Sequence, residues 1–181
     1  MKDQLNYFHI QIRTKQQHLF KFRAEKYAFL NIWRTYLQQD HRICAYVLLP
    51  GRFECVVATS CYNASQTEQL TKRIGQILNN KMNGSWELSE VDQFCSAIRV
   101  SALLTEKDCI YRIFDIHTLP QKLGISTDYR SYPYSSYQAL ASLQATTLAK
   151  MLVWQWFGGR MRFTAFHQAY AGWKSDQSLY A

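Results

Sequence analysis

The stretch AYVLLPGRFECVV, Ala45 to Val57, decides the fold. Two β-rich runs, Ile43 to Leu49 (ICAYVLL) and Phe53 to Thr59 (FECVVAT), flank Pro50 and Gly51, residues suited to a tight turn. The spacing predicts a β-hairpin. Upstream, residues 6 to 13 (NYFHIQIR) alternate as a strand does. Phe8, Ile10 and Ile12 fall on one face, Tyr7, His9, Gln11 and Arg13 on the other, and the aliphatic face is the inner one. Between this strand and the hairpin, AEKYAFLNIWRTYLQQ contains neither Gly nor Pro. It carries Phe29, Leu30, Trp33, Tyr36 and Leu37 at helical spacing, which predicts an amphipathic helix with an aromatic core stripe.

Downstream of the hairpin, residues 66 to 82 predict a second helix through Leu70, Ile74, Ile77 and Leu78, followed by a turn-rich stretch around Asn79 to Ser85. Ala97 to Leu103 reads as a fourth strand, and Glu106 to Thr118 as a third helix that Pro120 terminates. The order strand, helix, strand, strand, helix, strand, helix predicts an α+β protein with a ferredoxin-like antiparallel sheet and helices packed on one face. Beyond Tyr137 two more helical stretches, Thr147 to Phe157 and Arg160 to Tyr170, are separated by Gly158 and Gly159. The expected organisation is a sheet domain over residues 1–140 and a short C-terminal helical appendage over 141–181, within one globule.

Composition narrows the class of function. At 48% hydrophobic and 19% charged residues, the 181-residue chain is ordinary for a globular domain. It has no run of about 18 apolar residues and its start lacks an apolar signal-peptide core, so the expectation is a soluble, cytoplasmic protein with no membrane partner. Five cysteines, Cys44, Cys55, Cys61, Cys95 and Cys109, form no CxxC pair, are odd in number and sit mostly among apolar residues. That pattern favours reduced core thiols over zinc or a disulfide framework. The formal charge of +8 favours polyanionic partners, nucleic acid first. It is concentrated near the start, where Lys2, Arg13, Lys15, Lys21, Arg23, Lys26 and Arg34 face only Asp3 and Glu25 within residues 1 to 34.

The hairpin resembles that of the REP-associated tyrosine transposases, HUH-motif single-strand DNA nucleases whose pattern there is A-Y-V-x-M-P-N-H-x-H. Ala45, Tyr46, Val47 and Pro50 match it. DIHTLPQKLGI, 115 to 125, is similar to the family's Y-I-H-x-N-P-V-x-x-G-x segment, and SYPYSSYQAL, 131 to 140, to its Y-P-W-S-S-Y segment. WQWFGGRMRFTAFHQAY, at 154 to 170, resembles the closing L-F-G…R-x-x-Y-x-x-F helix pair. Four segments in the family's order imply a ferredoxin-like fold that binds single-stranded or hairpin DNA.

The resemblance also implies a reaction: a tyrosine hydroxyl attacks a DNA phosphate polarised by Mg or Mn, which two histidines at i, i+2 on one strand face hold. Here those two positions are Arg52 and Glu54, the nucleophile's position is Asp115, and that of a supporting Asn is Leu119. An arginine ligates no cation, and an aspartate repels a scissile phosphate. The expectation is therefore DNA binding without cleavage or strand transfer, with no cofactor.

Alternatives stay open. Tyr111, four residues before Asp115, could be a migrated nucleophile of a residual nuclease. Glu54, Asp115 and His9 could rebuild a metal site, against the simpler structural reading in which Arg52 pairs with Glu54 or Asp115. His117 reads as a packing or hydrogen-bonding residue beside the cleft. For DNA, Arg13, Lys15, Lys21, Arg23, Lys72 and Arg73 are the candidate phosphate contacts, against a solvated face for the lysines, and Tyr129, Tyr132, Tyr134 and Tyr137 are either stacking faces or core packing beneath the sheet. A different class of function is a scaffold acting through protein contacts, with Trp154, Trp156, Phe157, Phe163 and Phe166 forming a partner or homodimer surface.

Overall fold

The computed structural model describes residues 5–13, 20, 22–37, 41–82 and 98–177, with side chains for all of these except 36–37, 78–82 and 170–177. Strand β1 (Asn6–Arg13) leads to helix α1 (Arg23–Ile32), which widens into a π-helical turn over Trp33–Leu37. Strands β2 (Arg42–Leu49) and β3 (Arg52–Thr59) are the predicted hairpin, turning at Gly51 with φ +66°. Helix α2 (Thr67–Met82), strand β4 (Ile98–Leu103) and helix α3 (Glu106–Lys122) follow. The described sheet is antiparallel in the order β2-β3-β1-β4, the ferredoxin-like arrangement.

The period-2 alternation of β1 sorts the two faces. Phe8, Ile10 and Ile12 pack with Phe53, Cys55 and Val57 of β3 under Phe29 and Trp33 of α1 and Leu70, Ile74 and Ile77 of α2. This first face holds the two crossover helices on one side, as the pattern expects. The second face is covered as well. Ala45, Val47, Leu49, Val56 and Ala58 meet Cys109, Ile113 and Ile116 of α3, together with Val153, Trp156, Phe157 and Phe163 from beyond residue 140. Those last residues lie on helices α5 (Lys150–Phe157) and α6 (Arg160–Gln177), which follow the short helix α4 (Tyr137–Ala141). Gly158, at φ +75°, gives α5 the left-handed cap that only glycine adopts without strain.

Pro120 does not end α3 as the sequence suggests. It sits inside the last turn, and the helix continues to Lys122. A proline there forfeits only one hydrogen bond near an end that frays anyway, and its carbonyl still accepts the Ile125 and Ser126 amides at 2.8 and 3.1 Å. The exposed edge of β2 is paired off by the SYPYSSY stretch: Leu48 N–H donates to Tyr134 O at 2.9 Å, Ser136 N–H to Tyr46 O at 3.0 Å, and the Tyr132 hydroxyl to Leu48 O at 2.8 Å. A bare edge is thereby removed. Cys44, Cys55 and Cys109 are buried free thiols whose pKa values burial pushes up, Cys61 is exposed, and Cys95 lies outside the described residues. No described helix is long and apolar enough to cross a membrane.

Candidate functional site

On the second face, Arg52 and Glu54 occupy alternate positions of β3 and so point the same way. The register sets Gln11 opposite Glu54 and Arg13 opposite Arg52, and on the other flank of β1 it sets Arg99 opposite Gln11. Glu54 is 1% exposed, so its charge survives only with partners. His9 Nε2 lies 3.0 Å from Oε2, and Gln11 and Arg52 both donate to Oε1. Because a carboxylate only accepts, Nε2 of His9 carries the proton in this bond. Burial alone would push the Glu54 carboxyl up. Hydrogen bonds from His9 and Gln11 and the charge of Arg52 overcome it and hold the pKa at about 2.

Arg13 and Arg99 are exposed on the same face, as is Ser101, which stands opposite His9. Neither arginine makes an ion pair among the described residues. Arg52 is spent on Glu54, but its side chain remains 23% exposed. The result is a positive corner where Arg13, Arg52 and Arg99 share one face of the sheet. Arg99 went unrecognised in the sequence; its place opposite Gln11 follows from the pairing of β1 with β4, which no local pattern reveals.

The other candidates disperse. Arg23 lies at the start of α1 and donates to the Tyr27 hydroxyl at 3.3 Å, while the Lys26 ammonium sits 4.4 Å from the centre of the Tyr134 ring. Lys72 and Arg73 are exposed on α2, in the layer over the first face, with Lys72 paired to Glu68 at 3.0 Å. Lys15 and Lys21 lie outside the described residues. On α3, Asp115 pairs with Lys122 at 3.0 Å, Leu119 is half-buried in the second-face core, and Tyr111 is 38% exposed with its ring 6.0 Å from that of Phe166. Among the described residues no three or more His, Cys, Asp or Glu side chains are grouped to hold a metal ion.

One open choice, stacking face or core, is decided for the core at three tyrosines, and one expectation is corrected. Tyr129, Tyr132 and Tyr137 are buried at 4 to 6% exposure and offer no face to a base; of the four tyrosines only Tyr134 is half-exposed. Trp156, Phe157 and Phe163 are likewise buried, with Trp154 and Phe166 half-buried against the same core, so they form no outward patch. The cause is shared. The second face of the sheet is itself apolar over β2 and β3, and these rings are what cover it.

His117 is fully buried, away from solvent, in a chain that the sequence did not disclose. Nδ1 of His167 lies 2.9 Å from Phe163 O, Nε2 of His167 lies 3.0 Å from Nδ1 of His117, and Nε2 of His117 lies 2.8 Å from the Ser136 hydroxyl. A carbonyl only accepts, so His167 is protonated on Nδ1 and His117 on Nδ1 in turn, leaving Nε2 of His117 to accept from Ser136. Ser136 in return accepts the Tyr46 amide at 2.8 Å. With both rings neutral, the single Ser136 hydroxyl proton serves His117, and Tyr46 O, 3.1 Å from the same hydroxyl, keeps the Ser136 amide as its donor. Burial lowers His117 well below the usual histidine value, helped by the neighbouring His167, and brings His167 down to about 4.

No protein-family model and no curated protein matches the sequence. Among solved structures there is a likeness to a REP-associated tyrosine transposase bound to a REP hairpin. It covers 77% of this chain and 79% of that chain, at 17% sequence identity and a TM-score of 0.49. This is a distant, fold-level likeness.

Proposed function

We propose that the protein binds single-stranded or hairpin DNA and neither cleaves nor joins it. The observation that carries this reading is the state of Glu54. At a position where the family that the sequence resembles places a metal-ligating histidine, a carboxylate has both oxygens engaged by His9, Gln11 and Arg52. A cation drawn to it would displace those donors and meet the fixed guanidinium charge of Arg52. The chain's own basic surface supports binding. Arg13, Arg52 and Arg99 make a corner suited to phosphates, and the pairs Arg23–Tyr27 and Lys26–Tyr134 combine a cation with an aromatic face, as strand-binding surfaces do.

Phosphate contacts release counterions, so affinity for a hairpin oligonucleotide should fall steeply as salt rises. Replacing Arg99 by Gln should weaken binding and flatten the log–log salt slope by about 0.7 to 0.9, one phosphate contact's share. Affinity for the hairpin no better than for heparin, or a slope indifferent to Arg13→Gln and Arg99→Gln alike, overturns the reading.

A further inference from the structure

A second concavity lies away from the Arg52–Glu54 cluster, between the end of α1, the outer edge of β2 and the segment before α5. It encloses about 350 Å³, within the range of small-ligand pockets. Its walls include Tyr27, Trp33 and Tyr46, three aromatic side chains, with Asn31 and Thr146 as polar groups and Arg34 as its charged residue. Among the described residues no carboxylate lines it. Arg34 is exposed and makes no hydrogen bond or ion pair among the described residues. Burial raises the pKa of the Tyr46 hydroxyl, and the charge of Arg34 stands close enough to oppose that rise in part.

The segment that supplies Thr146, Thr147 and Leu148 to the far wall is anchored by neighbours outside the lining. Lys150, only 8% exposed, donates from Nζ to Ser142 O at 3.1 Å and to Gln144 O, and lies 5.3 Å from the Trp154 ring. Ala149 N–H donates to Ile43 O at 2.8 Å, fixing the segment to the β2 edge. An ammonium held by the Ser142 and Gln144 carbonyls steadies the loop just before that wall, and an anchored loop loses less entropy on binding.

We propose that this pocket is a nucleotide site, taking one planar nucleobase against Tyr27 and Tyr46 with its phosphate on Arg34. Flat aromatic walls suit a base of any identity, and a single free guanidinium suits one phosphate. The nucleotide comes either from an unpaired position in a strand, a case that rests on the DNA reading above, or from a free mononucleotide, a case that stands without it.

Calorimetric titration of the full chain with thymidine monophosphate, thymidine and octathymidylate tests this. The monophosphate should bind about tenfold or more tightly than thymidine, and Arg34→Gln should erase that difference. Tyr27→Ala should weaken both ligands about tenfold through lost stacking. Tyr27 is 50% exposed and Arg34 is exposed, so unchanged thermal unfolding is expected and checks that both variants fold. Octathymidylate weakened by both variants but not by Lys107→Gln supports the strand as source. An octamer indifferent to them, with the monophosphate still bound, supports the free nucleotide. The inference is overturned if Arg34→Gln leaves both phosphate ligands unaffected; an octamer weakened as much by Lys107→Gln as by Arg34→Gln overturns the strand as source. Hairpin binding that survives such a result leaves the DNA reading standing; monophosphate binding without hairpin binding does the reverse.

Discussion

Two buried polar clusters on the same side of the sheet solve the problem of burial in opposite ways. Glu54 stays ionised because strand geometry brings Arg52, Gln11 and His9 to its oxygens. His117 and His167 stay neutral because α3 and α6 surround them with rings, a carbonyl and a hydroxyl, and no carboxylate is among their bonded partners. The difference teaches that a buried titratable group takes the charge its bonded neighbours can balance. It also separates two parts of the family pattern. Positions 52 and 54, where the resemblance places catalysis, carry an internal ion pair, whereas His117 and Ser136, in segments that match the pattern, tie α3 to the β2 edge.

The sharpest way to break the comparison is Glu54→Ala, which strands three donors, one of them a guanidinium. A loss of about 3 to 5 kcal/mol in urea unfolding is expected, as for other broken buried pairs. A change near zero would mean that the cluster contributes no net stability.

Acid separates the two clusters next. The histidine pKa is lowered on folding, so the unfolded chain binds the proton first. Stability is full above the usual 6.5 and is lost as pH falls, with His167 contributing roughly 3 kcal/mol by pH 4. The Glu54 pKa is also lowered, from 4.5 to about 2. Its contribution is full above 4.5 and is lost between those two values. His167→Phe should make the upper window shallower, with His117 still contributing there, and leave the lower one; it should also cost about 1 to 3 kcal/mol at pH 7 by leaving the His117 donor and the Phe163 carbonyl unpaired. A loss of stability between pH 6.5 and 4 as steep in that variant as in the parent chain would contradict the neutral chain. Smallest of all is Asp115→Asn. The pair with Lys122 is more than a third exposed on both sides, and its loss should cost less than about 1 kcal/mol.

Much of the fold was legible because it follows short-range rules. Alternation in NYFHIQIR placed the aliphatic face of β1, and the Pro50–Gly51 turn placed the hairpin. What escaped depends on residues distant in sequence. His117 meets His167 across 50 positions and Ser136 across 19, and Arg99 joins Arg13 only through the pairing of β4 with β1. The aromatic stripes of residues 129–137 and 154–166 were visible, but their burial depends on the apolar second face of the sheet, which the expectation of helices on one side had left open. At positions 52 and 54, knowing the residue types was enough to doubt metal binding, and the structure adds the partners that hold Glu54.

The claim that these residues bind DNA without cutting it is tested most directly by incubating the protein with hairpin DNA and Mn²⁺ and resolving the products under denaturing conditions. The account predicts intact DNA and no covalent adduct, under conditions where salt-sensitive binding is measured. A metal-dependent protein–DNA adduct that disappears in Tyr111→Phe would contradict it.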